Sequence, residues 1–141
     1  MSEDPLRLDK QVCFSLYSAS NAMVRAYRPV LKLLDLTYLQ YIVMMVLWEK
    51  DEISLSDLGE RVHLDSGTLT PLLKRLESKG LLNRNASARD ERVKILSLTE
   101  GGSALRADAQ KVPEQMLCQL GLPLEQLHLL KQQCDDLLKA L

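Results

Sequence analysis

Between residues 55 and 98 the apolar positions change period once, and that change predicts the elements of the middle of the chain. Leu55, Leu58 and Val62 recur at helical spacing. After a short turn, Leu69, Leu72, Leu73 and Leu76 fall at i, i+3, i+4 and i+7, a single apolar stripe. Asp65, Ser66 and Gly67 offer an N-cap for this second helix, and Gly80 offers a stop. Pro71 falls near its first turn, where backbone N–H groups have no helical partner, so it need not break the helix. Residues 81–84 and 93–98 then read as strands. The polar connection between them holds Asn85, Ser87, Arg89, Asp90 and Arg92. Helix, turn, helix and a two-stranded wing is the plan of a DNA reader.

The flanks are helical by the same reading. Residues 8–34 form a first long helix with Val12, Leu16, Ala19, Met23, Ala26 and Tyr27 near one face, and Pro29 predicts a kink or break close to its end. Residues 37–48, capped by Thr37, are apolar nearly all round and belong in the centre of the assembly. Ile53 adds a short strand to the wing sheet, and Ser54 or Ser56 caps the next helix. Thr99 and Glu100 open a long helix carrying Leu105, Ala109, Val112, Met116, Leu117 and Leu120, bent at Pro113. Gly121 and Pro123 punctuate, and residues 124–141 form a last helix striped by Leu127, Leu130, Cys134, Leu137 and Leu138. The terminal helices carry more leucine than one small reading head can cover, so the expected assembly is a dimer with those helices intertwined. The expected division is one domain over 1–141, with 1–53 and 99–141 for dimerisation and 54–98 for the winged helix-turn-helix.

Charge changes the picture locally. Residues 66–98 hold seven basic and three acidic side chains, a balance of +4, in a chain of 141 residues whose net charge is -1. A near-neutral total argues against a nonspecific polyanion binder, and the confined basic patch argues for directed contact with phosphate. A solvated charged face is the other reading of any one basic helix, and the adjoining wing weighs against it. Ser66, Thr68, Thr70, Lys74 and Arg75 are the outward candidates on the reading helix for base-edge and phosphate contacts, with Arg84 and Arg89 as phosphate partners. With 46% hydrophobic and only 4% aromatic residues the chain favours helices over a sandwich or barrel. No apolar run reaches the ~20 residues needed to span a bilayer, and MSEDPLRLDK lacks an apolar export core, so the expected location is the cytoplasm. Three cysteines there suggest thiols, not a disulfide framework. His63 and His128 have no companion at ligand spacing, no metal or cofactor is expected, and no triad, phosphate loop or paired-carboxylate motif points to an enzyme.

Over its whole length the chain resembles the MarR family of dimeric winged-helix regulators, with Asp90-Glu91-Arg92 standing where that family has its wing DxR element. The N-terminal third resembles the branch that senses organic hydroperoxides, the OhrR type, through Cys13-Phe14-Ser15-Leu16-Tyr17, Arg25-Ala26-Tyr27-Arg28-Pro29 and Leu36-Thr37-Tyr38-Leu39-Gln40-Tyr41. A cysteine followed by tyrosines 14 and 25 positions later is the more specific of these signals. The resemblance implies a mainly α fold with a small β wing, assembled as an intertwined homodimer on a palindromic double-stranded operator. It implies that Cys13 is the reactive thiol, and that Tyr27 and Tyr38 bond it from the partner subunit. Arg92 would enter the minor groove with Asp90 holding its guanidinium, and Cys118 would resolve oxidised Cys13 as an intersubunit disulfide. Independently of family, a peroxide is attacked by thiolate, which needs access and hydrogen-bond donors, and a phenol stays protonated at neutral pH. Cys134 matches no family position and reads as a buried packing thiol. Tyr17 and Tyr41 read as core. Two alternatives stand beside the peroxide-sensing repressor: a MarR-type repressor released by a small phenolic or aromatic ligand, with Cys13 incidental, and a thiol peroxidase using Cys13.

Overall fold

The computed structural model describes residues 4–141; the first three residues of the polar opening MSEDPLRLDK lie outside the described residues. Helix α1 (Val12–Leu31) lies between two single 3-10 turns, Leu8–Lys10 and Lys32–Leu34. The continuous helix expected over 8–34 is thus three pieces. Pro29 stays inside the last turn of α1, and the chain tightens to 3-10 just after it before Asp35 turns left-handed at φ 53°. Helix α2 (Tyr38–Glu49) starts on a capping box. The Gln40 N–H donates to Thr37 Oγ1 at 3.3 Å, and the Thr37 N–H donates to Gln40 Oε1 at 3.1 Å. Tyr41, Val43, Met44, Val46 and Leu47 are all buried, which accounts for the nearly all-apolar sequence of α2.

The reading head follows in the expected order: β1 (Ile53–Ser54), α3 (Leu55–Val62), α4 (Ser66–Ser78), β2 (Leu82–Ala86) and β3 (Lys94–Leu98). The sheet is antiparallel in the order β1-β3-β2, with Ile53 opposite Leu96 and Leu82 opposite Leu98. Leu58, Leu69, Leu73, Leu76, Leu82 and Leu96 fill the space between sheet and helices and are fully buried. The Asp65 side chain accepts from the Thr68 N–H and caps α4, and Gly80 just past its end takes φ 75°.

The long helix expected from Thr99 is two helices, α5 (Glu100–Ala109) and α6 (Val112–Leu120). The break falls at Gln110 and Lys111, ahead of Pro113, because proline is accommodated in a helix's first turn, where its missing N–H has no partner to lose. Thr99 Oγ1 accepts from the Gly102 N–H at 3.0 Å and donates to the Gly80 carbonyl at 2.6 Å. The Trp48 indole N–H donates to the Gly102 carbonyl at 2.8 Å, tying α5 to α2.

Helix α7 (Leu124–Ala140) buries none of its residues within the protomer. Its leucines face an open groove shared with α1, lined by Val12, Leu16, Ala19, Leu130, Cys134 and Leu137. Two sequence readings are corrected here. Cys134 is exposed, not buried, and Tyr17 is 66% exposed, not core, because nothing in one protomer covers the faces that carry them. Tyr41 is core as expected. Among the described residues no single helix is long and apolar enough to cross a membrane.

Candidate functional site

The head presents two polar edges flanking one concave surface. Ser66, Thr68, Lys74 and Arg75 are exposed along α4. Thr70 is half-buried, and its hydroxyl donates to the Ser66 carbonyl at 2.8 Å, so the helix itself engages that group. The Asp65 carboxyl sits below the usual carboxylate range because the Thr68 backbone N–H donates to it, which leaves the cap ionised at neutral pH. In the wing, Asp90 receives three hydrogen bonds from Arg92: the backbone N–H at 3.0 Å and the side-chain Nε and Nη2 at 3.2 and 3.3 Å. The Arg92 side chain is nevertheless 91% exposed. The Arg92 side chain is the larger cause, and its backbone N–H the smaller, of an Asp90 carboxyl held below its ordinary value. The pair aims a guanidinium into solvent at the wing tip without immobilising it inside the protein.

Arg84 behaves otherwise. Its guanidinium meets Glu77 at 3.3 Å, its backbone N–H donates to the same carboxylate at 3.2 Å, and its Nε is buried without a partner. Arg84 therefore fastens the wing to α4, and much of its donor capacity is turned inward, away from phosphate. Arg89 is exposed, with its backbone N–H bonded to Ser87 Oγ at 3.2 Å. Between α4 and the wing lies a groove lined by Ser56, His63, Ser66, Arg92 and Lys94 among others. His63 and Lys94 are additions to the candidates named from sequence. Lys94 was legible as a basic residue at the start of the second wing strand. His63 was not, because its place depends on the left-handed turn (φ 57°) that ends α3.

The thiol and phenol candidates are spread over α1, α2 and α6. Cys13 is exposed in the first turn. Tyr27 lies fourteen residues further, ~21 Å along the axis at 1.5 Å per residue and within about 40° of the same face. Tyr27 and Tyr38 are brought together, with ring centroids 4.7 Å apart, and Tyr41 lies 5.9 Å from Tyr27. Burial first, then the neighbouring Tyr38 and Tyr41, raises the Tyr27 phenol above its ordinary value, so it stays a hydrogen-bond donor at neutral pH. Within one protomer the axial distance exceeds the combined reach of the two side chains, so Cys13 does not meet this pair. Cys118 is exposed near the end of α6. Among the described residues no three His, Cys, Asp or Glu side chains gather in a metal-holding arrangement.

Comparison with known proteins agrees with this fold. The family of transcriptional regulators SarA/Rot matches residues 25–108. An organic hydroperoxide resistance transcriptional regulator of Bacillus subtilis is 44% identical over 114 residues, which span 81% of this chain and 78% of that protein. Reduced AbfR bound to DNA, a protein of Staphylococcus epidermidis, superposes with a TM-score of 0.81 at 32% identity, covering 96% of this chain and 94% of that one. Disulfide-formed AbfR superposes less well, with a TM-score of 0.65 at the same identity, over 96% and 90% of the two chains. A mutant MarR of E. coli complexed with operator DNA shares the fold, with a TM-score of 0.84 at 24% identity over 96% and 99%. These relatives are regulators of transcription, not enzymes.

Proposed function

The chain belongs to the MarR family of winged-helix transcriptional regulators, and from that premise we propose that it is a dimeric repressor which releases its operator when organic hydroperoxide oxidises Cys13. The observation that carries this reading is the separation, along one face of α1, of Cys13 from Tyr27, whose ring packs on Tyr38 of α2. Residue 20 is midway between Cys13 and Tyr27. Two copies of α1 crossing antiparallel about Ser20 place each thiol beside the other copy's phenols. Ser18, Ala19, Ser20 and Ala22 are small enough for a close crossing, and the exposed leucines of α7 supply apolar surface to surround it. Residues 1–53 and 99–141 then dimerise, and 54–98 read DNA. The two reading helices enter successive major grooves about 34 Å apart, and Arg92 enters the minor groove beside each.

Phenol O–H groups donating to a sulfur favour its thiolate form. The Cys13 thiolate attacks one peroxide oxygen. An S–O bond forms, the O–O bond breaks, and the departing alkoxide takes up a proton, leaving sulfenic acid and alcohol. The partner subunit's Cys118 then attacks that sulfur as thiolate. An S–S bond forms, and hydroxide leaves as water with the proton that Cys118 gave up. Bridging demands Cα atoms within about 7 Å, so α6 and α1 must move relative to each other if the two thiols start further apart than that. The existence of both a reduced, DNA-bound AbfR and a disulfide-formed AbfR among the similar structures supports a disulfide as the switched state.

A second reading is favoured by one feature. A cavity of about 720 Å³, lined by Val24, Arg28, Tyr38, Leu72 and Lys79 among others, is large enough for a phenolic ligand. One experiment separates the two. Operator binding is measured for wild type, Cys13→Ser and Cys118→Ser before and after stoichiometric cumene hydroperoxide, beside non-reducing gels. Release confined to proteins that keep Cys13, with a crosslinked dimer that needs Cys118, is the expected result. Release by Cys13→Ser would sink the thiol reading and send attention to the cavity.

A further inference from the structure

A lysine bridges the end of the reading helix and the first turn of α2. Lys79, at the C-terminal end of α4, extends its ammonium to the Asp35 carbonyl and to Gln40 Oε1 at 3.0 Å, with the Asp35 carboxylate 3.7 Å away. Gln40 is only 3% exposed, and the same Oε1 accepts the Thr37 N–H of the capping box. Both lone pairs of that amide oxygen are therefore in use: one holds the start of α2, the other holds the end of α4. Tyr38 is the first residue of α2, and its ring is the one against Tyr27. Asp35 ends the 3-10 turn whose last carbonyls attract a cation. The chain of contacts runs from phenol to capping box to amide oxygen to ammonium to reading helix.

We propose that Lys79 is the positioning residue that transmits the state of the Tyr27–Tyr38 site to the DNA-reading helix, through Gln40 Oε1 and the Asp35 carbonyl. This rests on the reading that oxidation of Cys13 disturbs those tyrosines. Loss of the phenol–sulfur hydrogen bonds frees the first turn of α2 to shift, and Lys79 shifts with it. The thirteen residues of α4 span ~20 Å, so a tilt of the whole head by about 6° about this end moves the DNA-facing end of α4 by ~2 Å without altering the head itself. The Asp35 carboxylate is nearly fully exposed and adds little, since exposed ion pairs are weak. The neutral acceptors make the link.

The test measures the ratio of operator dissociation constants after and before stoichiometric cumene hydroperoxide. The probe is a duplex selected from a randomised library by the reduced wild-type protein. Lys79→Met keeps the length of the stem and removes its donors; Lys79→Arg keeps donors; Asp35→Asn keeps the carbonyl and tolerates the left-handed backbone. Non-reducing gels monitor Cys13 oxidation in every variant. The expected result is a release ratio at least tenfold smaller in Lys79→Met, with oxidation unchanged and reduced-state affinity within about threefold of wild type. Lys79→Arg and Asp35→Asn keep the wild-type ratio. Gln40→Met, which removes the acceptor from the other side, reproduces the Lys79→Met result. An undiminished ratio in Lys79→Met overturns the proposal. So does a loss confined to reduced-state affinity with a shallower salt dependence, which would make Lys79 a phosphate contact. Absence of release in the wild type itself would instead overturn the parent reading.

Discussion

Two adjacent glycines open α5, and the structure assigns them opposite tolerance. A Cβ added at Gly102 would stand 2.0 Å from the Leu81 carbonyl oxygen, 3.0 Å from its carbon and 3.2 Å from Leu98 Cδ2. Ordinary contact begins at 3.4 Å, so Gly102→Ala must push the backbones of residues 81 and 102 about 1.4 Å further apart. Neither can yield freely. Leu81 accepts the Thr99 N–H, while Gly102 donates to the Thr99 hydroxyl and accepts from the Trp48 indole. Overpacking costs about 1–3 kcal/mol, and weakening two of these hydrogen bonds adds about 1 kcal/mol each. A loss of roughly 3–5 kcal/mol is large beside a typical total of about 5–15 kcal/mol. At ~2–4 °C per kcal/mol the melting temperature falls by at least ~6 °C. Gly101→Ala brings its Cβ only to 3.4 Å from the Gly80 carbonyl and gains helix propensity, so it melts within a few degrees of wild type. Circular dichroism melts of the reduced proteins at one fixed concentration decide the matter, since dimer melting depends on concentration. Indistinguishable melts for Gly102→Ala and Gly101→Ala would refute the close approach of Leu81 and with it the seating of α5 on the head.

Other expectations follow from the same geometry. Arg92→Ala weakens operator binding by about five- to 150-fold, the ~1–3 kcal/mol of a well-made base contact. It should leave dimer and melting temperature unchanged; wild-type affinity in a dimeric variant would remove Arg92 from the minor groove. The same variant releases Asp90: its carboxyl, held below 3.8 chiefly by the Arg92 side chain, rises toward that value in a carbon-detected NMR titration. Because a depressed folded-state value contributes stability above the unfolded value and loses it as pH falls through the folded one, the wild-type wing tip loosens only in acid below the carboxylate range. Lys74→Ala lowers affinity uniformly across operator sequences and flattens the salt dependence by about one unit per head, readable from binding at several ionic strengths. Leu130→Glu with Leu137→Glu should shift sedimentation toward monomer while the head stays folded; an unchanged dimer would place the interface elsewhere.

The reading head was legible because its elements are short and locally determined. Asp65 caps, Gly80 stops, and the leucine stripe between them fixes which face of α4 is buried, all within one stretch of sequence. What sequence could not resolve depends on partners far along the chain. Pro113 signalled a discontinuity, but whether proline bends a helix or starts a new one depends on whether the preceding residues find other bonds. Arg84 was one basic residue among several until the fold set Glu77 beside it. Lys79 gave no signal, because Asp35 and Gln40 are about forty residues away in sequence. Tyr17 and Cys134 were misjudged for a different reason: hydrophobic periodicity tells which face wants cover, and only the assembly tells whether the same chain supplies it.

That uncovered face and the uneven charge lead to one conclusion about release. The chain's net charge is -1 while residues 66–98 carry +4, so attraction to DNA is concentrated in the heads and is not a property of the whole dimer. In the proposed dimer each head meets one half-site, and gripping two half-sites at once makes the second contact intramolecular. Such linkage multiplies affinity by about a hundred- to ten-thousand-fold and disappears when geometry forbids simultaneous engagement. On the proposed arrangement, an oxidised thiol where two α1 helices cross need not unfold a head or neutralise a single arginine. Mis-spacing the heads by a few ångströms against a repeat of about 34 Å is enough. On that argument the dimer should bind a duplex carrying only one half-site equally well before and after peroxide. A half-site affinity that itself collapsed on oxidation would mean the signal acts within the head and not between the two.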